Sequence, residues 1–209
     1  MTRSPVAASV VLSVNVGAVR EVESRGRVVR TGIWKTPVDG PVLVRGVTLA
    51  GDDQADRSVH GGPDKAVYAY AVEDYAYWGE REVFPVHAGV FGENLTVQGL
   101  DLGRCVIGER WQVGTVVLEV AQPRLPCFKL GIRVGDATFL KRFQAAIRPG
   151  AYLRIIEEGV LTAGDGVRVL TRPDHGVTIA LMAESVTDPV KARAIQAAPK
   201  LPAGWRDGA

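Results

Sequence analysis

Between Val10 and Val16, β-branched residues alternate with polar ones through Ser13, Val14, Asn15 and Val16, and Gly17 follows. That period-two pattern predicts a half-buried strand ended by the glycine. Residues 19–22 and 27–34, mixed charged and β-branched around Gly26, predict a hairpin. The Asp39-Gly40 turn flanked by valines predicts a second hairpin, with residues 42–49 as its outgoing strand. Further strands are expected at residues 66–71, at Leu95-Thr96-Val97, over 108–120 as two strands around Gly114, and at 152–156 and 167–170.

The helical period is rarer. Residues 73–82 set Asp74, Tyr75, Tyr77 and Trp78 on one broad amphipathic surface. Residues 136–147 place Phe139, Leu140, Phe143 and Ile147 at helical spacing, with Asp136 as cap and Pro149-Gly150 closing the element. Residues 179–197 show weaker helical signals broken by Pro189. Many short strands, glycine turns and few helices predict a mainly β (α+β) fold, a twisted β-barrel with helical excursions over residues 1–170. A short helical C-terminal tail over residues 171–209 is expected to follow it.

Composition narrows the function classes. With 46% apolar and 23% charged residues in 209, and a net charge of +2, the chain reads as an ordinary globular protein without the basic excess of a nucleic-acid binder. Two cysteines supply neither a disulfide framework nor the ligands of an iron–sulfur cluster, which suits a reducing cytoplasm. The apolar run at residues 6–16 is interrupted by Ser9, Ser13 and Asn15, so a strand is preferred to a secretory segment. No apolar stretch is long enough to span a bilayer, and a soluble protein is expected.

Candidate chemistry centres on Cys127, framed by Pro123 and Pro126 and by the cations Arg124 and Lys129. The prolines predict an extended loop or strand end across residues 121–130. Nearby positive charge favours the thiolate, the form that attacks electrophiles and binds soft metals. A free cysteine is also often a small buried hydrophobe, so both readings stand. The polar loop at residues 51–63 carries Asp52, Asp53, Asp56, His60, Gly61 and Gly62. His60 beside two glycines can present an imidazole and backbone amides to an anion, with Asp56 orienting the ring and Lys65 flanking it; a plain turn explains the same residues. Zinc is disfavoured because His60, His87, His175, Cys105 and Cys127 lack finger-like spacing. Cys105 and the group Tyr68, Tyr70, Tyr75, Tyr77 and Trp78 are expected to pack in the core.

Four segments together, Ser-Val-Asn-Val-Gly at 13–17, Asp-Arg-Ser-Val-His-Gly-Gly-Pro-Asp-Lys-Ala-Val at 56–67, Phe-Gly-Glu-Asn-Leu-Thr at 91–96 and Gln-Pro-Arg-Leu-Pro-Cys-Phe-Lys-Leu at 122–130, resemble a MOSC domain. This is the domain at the C-terminus of molybdenum-cofactor sulfurases, and the chain resembles its short, stand-alone bacterial subfamily. The resemblance implies a β-barrel that holds a molybdopterin cofactor with the Cys127 thiolate on molybdenum. It places Asn94 and Arg124 near pterin and metal, turns Asp56, His60, Gly61 and Gly62 towards the same pocket, and makes Lys35 a phosphate contact. The tail is shorter than in that subfamily, and Leu125 and Pro126 separate Arg124 from the cysteine, where related reductases place arginine beside it.

The function implied is reduction of N-hydroxylated compounds such as hydroxylaminopurines, with Cys127 and His60 as catalytic residues. Because the chain shows no cluster ligands, haem motif or nucleotide fingerprint, a separate flavin or iron–sulfur electron donor is expected. No nucleic-acid or membrane partner is expected, and pairing into a homodimer is left open. The alternatives are a sulfur carrier with a persulfide on Cys127 and a non-catalytic cofactor-binding module.

Overall fold

β7 (Val67–Ala71) shows how the chain builds its interior. All five of its residues are buried, yet they alternate between two cores. Val67, Ala69 and Ala71 enter an aliphatic core, while Tyr68 and Tyr70 enter an aromatic one, as the two-residue period of a strand requires. The computed structural model describes residues 9–56, 61–82 and 84–206.

In chain order the strands are β1 (Val10–Val16), β2 (Arg20–Ser24), β3 (Arg27–Thr31), β4 (Thr36–Pro37), β5 (Val42–Arg45), β6 (Thr48–Leu49), β7, β8 (Leu95–Gln98), β9 (Arg110–Val113), β10 (Val116–Pro123), β11 (Ala151–Glu157), β12 (Gly159–Leu161) and β13 (Val167–Thr171). The helices are α1 (Val72–Gly79), α2 (Phe128–Val134), α3 (Phe139–Ala145), α4 (Ile179–Ser185) and α5 (Pro189–Ala194). The main sheet runs β13-β9-β10-β11-β7-β8-β1-β4; β12-β5-β6 form a second sheet, and β2-β3 a hairpin. β7 and β8 pair in parallel, whereas the other pairs in the main sheet are antiparallel.

The expected sheet-dominated, twisted α+β architecture is present. A continuous closed barrel is not: among the described residues the ladder ends at β13 and β4. The sheet instead curls until a Val10–Gly166 bridge, with Val11 N donating to Asp165 O at 2.9 Å and Val167 N to Ser9 O at 2.8 Å, brings β1 against the start of β13. β10 is buried at every position, which explains its near-continuous apolar run. Its Val116, Leu118 and Val120 meet Ile179, Met182 and Ile195 of the tail in the aliphatic core. On the other face, Trp78 of α1 stacks on Phe143 of α3 with ring centroids 5.8 Å apart.

Four expectations about elements are corrected. Residues 42–49 do not make one strand, because Gly46 at φ 65° turns the chain and splits it into the paired β5 and β6. The Asp39-Gly40 turn joins β4 and β5, which belong to different sheets and are not hairpin partners. The segment around Cys127 is extended only as far as the thiol, since α2 begins at Phe128. The third helix starts later than expected: the Asp136 carboxylate accepts from Thr138 N and Oγ1, both at 2.7 Å, ahead of Phe139. Among the described residues no helix is long and apolar enough to cross a membrane.

Candidate functional site

Cys127 stands where β10 delivers it. That strand is paired with β9 as far as Glu119 and with β11 as far as Pro123. The two prolines then carry the chain to Cys127, which caps α2 with extended backbone angles of φ −126° and ψ 168°. The thiol is partly exposed. Two clefts, enclosing about 690 and 1690 Å³ of space including their open mouths, meet here, and Lys65, Leu125, Cys127 and Tyr152 line both.

Polar groups define the first cleft, with Lys35, Asp52, Asn94 and Arg124 in its wall. Arg124 is 5% exposed, and its Nη1 has no hydrogen-bond partner among the described residues. A buried donor left unmade is costly, so its presence points to an anionic or hydrogen-bond-accepting ligand. The guanidinium lies 5.7 Å from the Tyr68 ring and 5.4 Å from that of Phe143. Burial works against its charge, but Tyr68, Tyr152 and the Cys127 sulfur outweigh it and raise the Arg124 pKa. Lys65 is pulled the other way: burial lowers its pKa despite the favourable fields of Asp64, Cys127 and Asp56.

Asp52 organises the rest of that wall. Its Oδ1 accepts from Gly17 N at 2.9 Å and pairs with the Lys35 ammonium; its Oδ2 accepts from Asn94 Nδ2 at 2.9 Å and Thr48 Oγ1 at 3.3 Å. Lys35 is buried, and that burial lowers its pKa against the pull of Asp52. The segment carrying it fits only because Gly17 and Gly89 lack side chains: a Cβ at either would strike the carbonyl oxygen of Trp34 or Lys35.

Each expected site residue can now be placed. Lys35, Asn94, Arg124 and Cys127 come together at the first cleft. Asn94 is more a scaffold than a ligand, since its amide is committed to Asp52, to Asn15 O at 3.2 Å and, through Oδ1, to Tyr68 N at 3.1 Å. Gly61 and Gly62 line the second cleft instead. The amide of Gly62 is not offered to an anion, because it donates to Gln54 Oε1 at 3.0 Å, and a Cβ on Gly61 would collide with that same side chain. Asp56 acts electrostatically on Lys65. His60 lies outside the described residues, as does any contact it makes with Asp56.

Two residues escaped the sequence reading. Asp52 looked like one acid among several in a polar loop. Tyr152 looked like the start of a strand, but its register opposite Gln122 brings it to both clefts. Cys105 is the inert thiol: it is 4% exposed, donates to Asp101 O at 3.4 Å, and burial pushes its pKa up. The described residues hold no group of three or more His, Cys, Asp or Glu arranged for a metal.

The chain is 38% identical to YflK of Bacillus subtilis (strain 168) over 169 residues, 81% of this chain and 76% of that one. It is 34% identical over 170 residues, 78% of its length, to a protein named Reductase from Gibberella moniliformis (strain M3125 / FGSC 7600), of which it spans only 30%. The crystal structure of YiiM from Geobacillus stearothermophilus superposes with a TM-score of 0.75 at 31% identity, covering 95% of both chains. The MOSC domain matches residues 56–168, from the loop before β7 to the first residues of β13. With that span, these relatives and a matching fold, the chain belongs to the MOSC domain family and is similar to its YiiM members.

Proposed function

We propose that this protein holds a molybdenum cofactor in the first cleft and reduces N-hydroxylated compounds, such as hydroxylaminopurines, with electrons from a separate flavin or iron–sulfur protein. The observation that carries this reading is the pairing of a partly exposed thiol with the orphaned, buried Nη1 of Arg124 in one cleft. A sulfur-ligated anionic group answers both. The family is associated with molybdenum-cofactor binding, and a relative named Reductase supports redox chemistry.

In this reading the Cys127 thiolate binds the metal, a soft ligand for such a centre. The cofactor supplies two-electron chemistry at molybdenum, which the side chains alone do not provide. Arg124 and the Asp52-held Lys35 bind the cofactor's negative charge, and Tyr152, hydrogen-bonded to Arg124, orients the guanidinium. The reaction breaks the N–O bond, consumes two electrons and two protons, and releases the amine and water. Lys65 beside the sulfur holds a proton at Nζ, and His60 is the second candidate donor.

The test is molybdenum content, by mass spectrometry, of native and Cys127→Ser protein purified from a host able to make the cofactor. Near-stoichiometric metal that disappears in the variant is expected. Metal-free native protein would sink the reading in favour of a persulfide carrier.

A further inference from the structure

The second cleft differs in chemistry from the first. Pro63, Pro123, Leu125 and Pro126 line it from the sheet side, and Val186, Pro202 and Trp205 from the tail. Prolines offer no amide hydrogen, and Leu125 leaves 43% of its surface exposed in this wall. Of its polar lining, Gln122, Ser185 and Gln196 donate within the fold, so away from Lys65 and the thiol the wall has few donors to spare and suits a flat, weakly hydrated ligand.

Trp205 is the outstanding group in it. Trp78 and Trp111 are fully buried, and Trp34 lies beneath Arg20 with the guanidinium 3.8 Å from its ring centre. Trp205 is half-buried, packs one side on the aliphatic core and lines the cleft, with no aromatic ring or cation on it among the described residues. Its indole N–H is already committed, donating to Gln122 Oε1 at 2.7 Å. What remains to offer a ligand is the ring itself, which suits stacking.

The wall is also braced. Gln122 Nε2 donates to Asp64 O at 3.2 Å, and Gln196 Nε2 to Trp205 O at 2.9 Å. Lys200 Nζ reaches Glu119 Oε2 at 2.5 Å, and Arg154 Nη2 donates to Lys200 O at 2.9 Å. These contacts fix the tail over the mouth of the cleft that opens on Cys127.

We infer that the second cleft is the substrate cleft, that the C-terminal tail is its selecting wall, and that Trp205 stacks on a planar heteroaromatic ring. The inference rests on the proposed function for what happens at the thiol, but the binding it describes does not require the cofactor. Substrate and cofactor then approach Cys127 from different sides.

The test is calorimetric titration of the full chain with 6-N-hydroxylaminopurine, and with N-cyclohexylhydroxylamine as a non-planar comparison. Wild type, Trp205→Phe and Trp205→Leu are compared. Because stacking of a base on an aromatic side chain is worth about 1–3 kcal/mol, Trp205→Leu is expected to weaken purine binding about tenfold or more. Trp205→Phe should stay within about threefold of wild type, and the cyclohexyl probe should not discriminate. The emission lost on replacing Trp205 by Phe should be the emission that the purine quenches in wild type, a readout that decides the matter if Trp205→Leu fails to fold. Absence of purine binding by wild type, equal affinity of all three proteins, or quenching unchanged in Trp205→Phe would overturn the inference. Molybdenum measured in the same preparations separates the two proposals: metal retained with Trp205-indifferent binding defeats only the stacking wall, and Trp205-dependent binding without metal defeats only the cofactor reading.

Discussion

Asn94 Nδ2 lies 2.9 Å from Asp52 Oδ2, and the opposite oxygen of the same carboxylate holds the Lys35 ammonium. Three residues far apart in the chain thus make one buried unit, in which Asp52 is the acid paired with the lysine and Glu93 and Asp53 add their fields. Asp52→Asn keeps the shape and removes that balance. Breaking a buried pair from one side costs about 3–5 kcal/mol, so the variant should lose roughly that in urea denaturation at neutral pH. The sign of its pH dependence follows from Lys35, whose pKa folding already lowers. The deficit should shrink as pH rises through the lowered folded-state pKa of Lys35, below the ordinary lysine range, because the folded protein there gives up the charge that Asp52 balances, while the unfolded chains titrate alike and cancel.

Arg124→Met tests the orphaned donor. A buried donor without a partner is a burden on the fold, and apolar replacement of buried charges is often neutral or stabilising by about 1–4 kcal/mol. The variant should therefore unfold at equal or higher denaturant concentration while losing bound molybdenum. A protein destabilised by several kcal/mol would mean that the favourable fields of Tyr68, Tyr152 and Cys127 matter more to the fold than the unpaired Nη1.

The two thiols should separate chemically. Cys127 is partly exposed near Arg124 and Lys65, whereas burial raises the Cys105 pKa. Brief alkylation with iodoacetamide in the native state, mapped by peptide mass spectrometry, should label Cys127 well ahead of Cys105. Equal labelling would remove the distinction between a working thiol and a packed one.

Glu119 gathers Arg110, Arg154 and Lys200 around one carboxylate. Burial opposes its charge, but these hydrogen bonds outweigh it and hold the pKa below the usual glutamate value. Its stabilising contribution is present above that usual value and is lost as pH falls through the lower folded one. Glu119→Gln should cost about 1–3 kcal/mol at neutral pH, a typical magnitude for charged hydrogen bonds, and progressively less in acid. Limited proteolysis should cut the variant sooner in the tail, where Lys200 sits.

Much of the fold was legible because it is written locally. The alternation of β1, the Gly114 turn between β9 and β10, and the break at Pro189 between α4 and α5 each need only a few neighbouring residues to be read. The split of residues 42–49 was not legible, because the valines on either side of Gly46 continue a strand pattern while the glycine's positive φ reverses the chain. Pro126 concealed α2 by making its approach look extended. The thiol and its arginine were legible from composition around the prolines. The role of Asp52 was not, since its partners Lys35 and Asn94 are brought to it only by the packing of β1 and β8 and the close backbone approach at Gly17. Trp205 gave no local signal, because its position depends on Gln122, a residue of the main sheet.

The braced tail has a consequence for how such a protein can diversify. The first cleft is drawn largely from residues 31–94 with Arg124, and the outer wall of the second from residues 185–205. These are separate stretches of chain that meet across Cys127. Exchanging the last few turns of the molecule changes what the thiol looks out upon while leaving Lys35, Asp52 and Arg124 in place. Selectivity is thereby a replaceable part, and the Glu119–Lys200 contact is the fastening by which a new one can be attached.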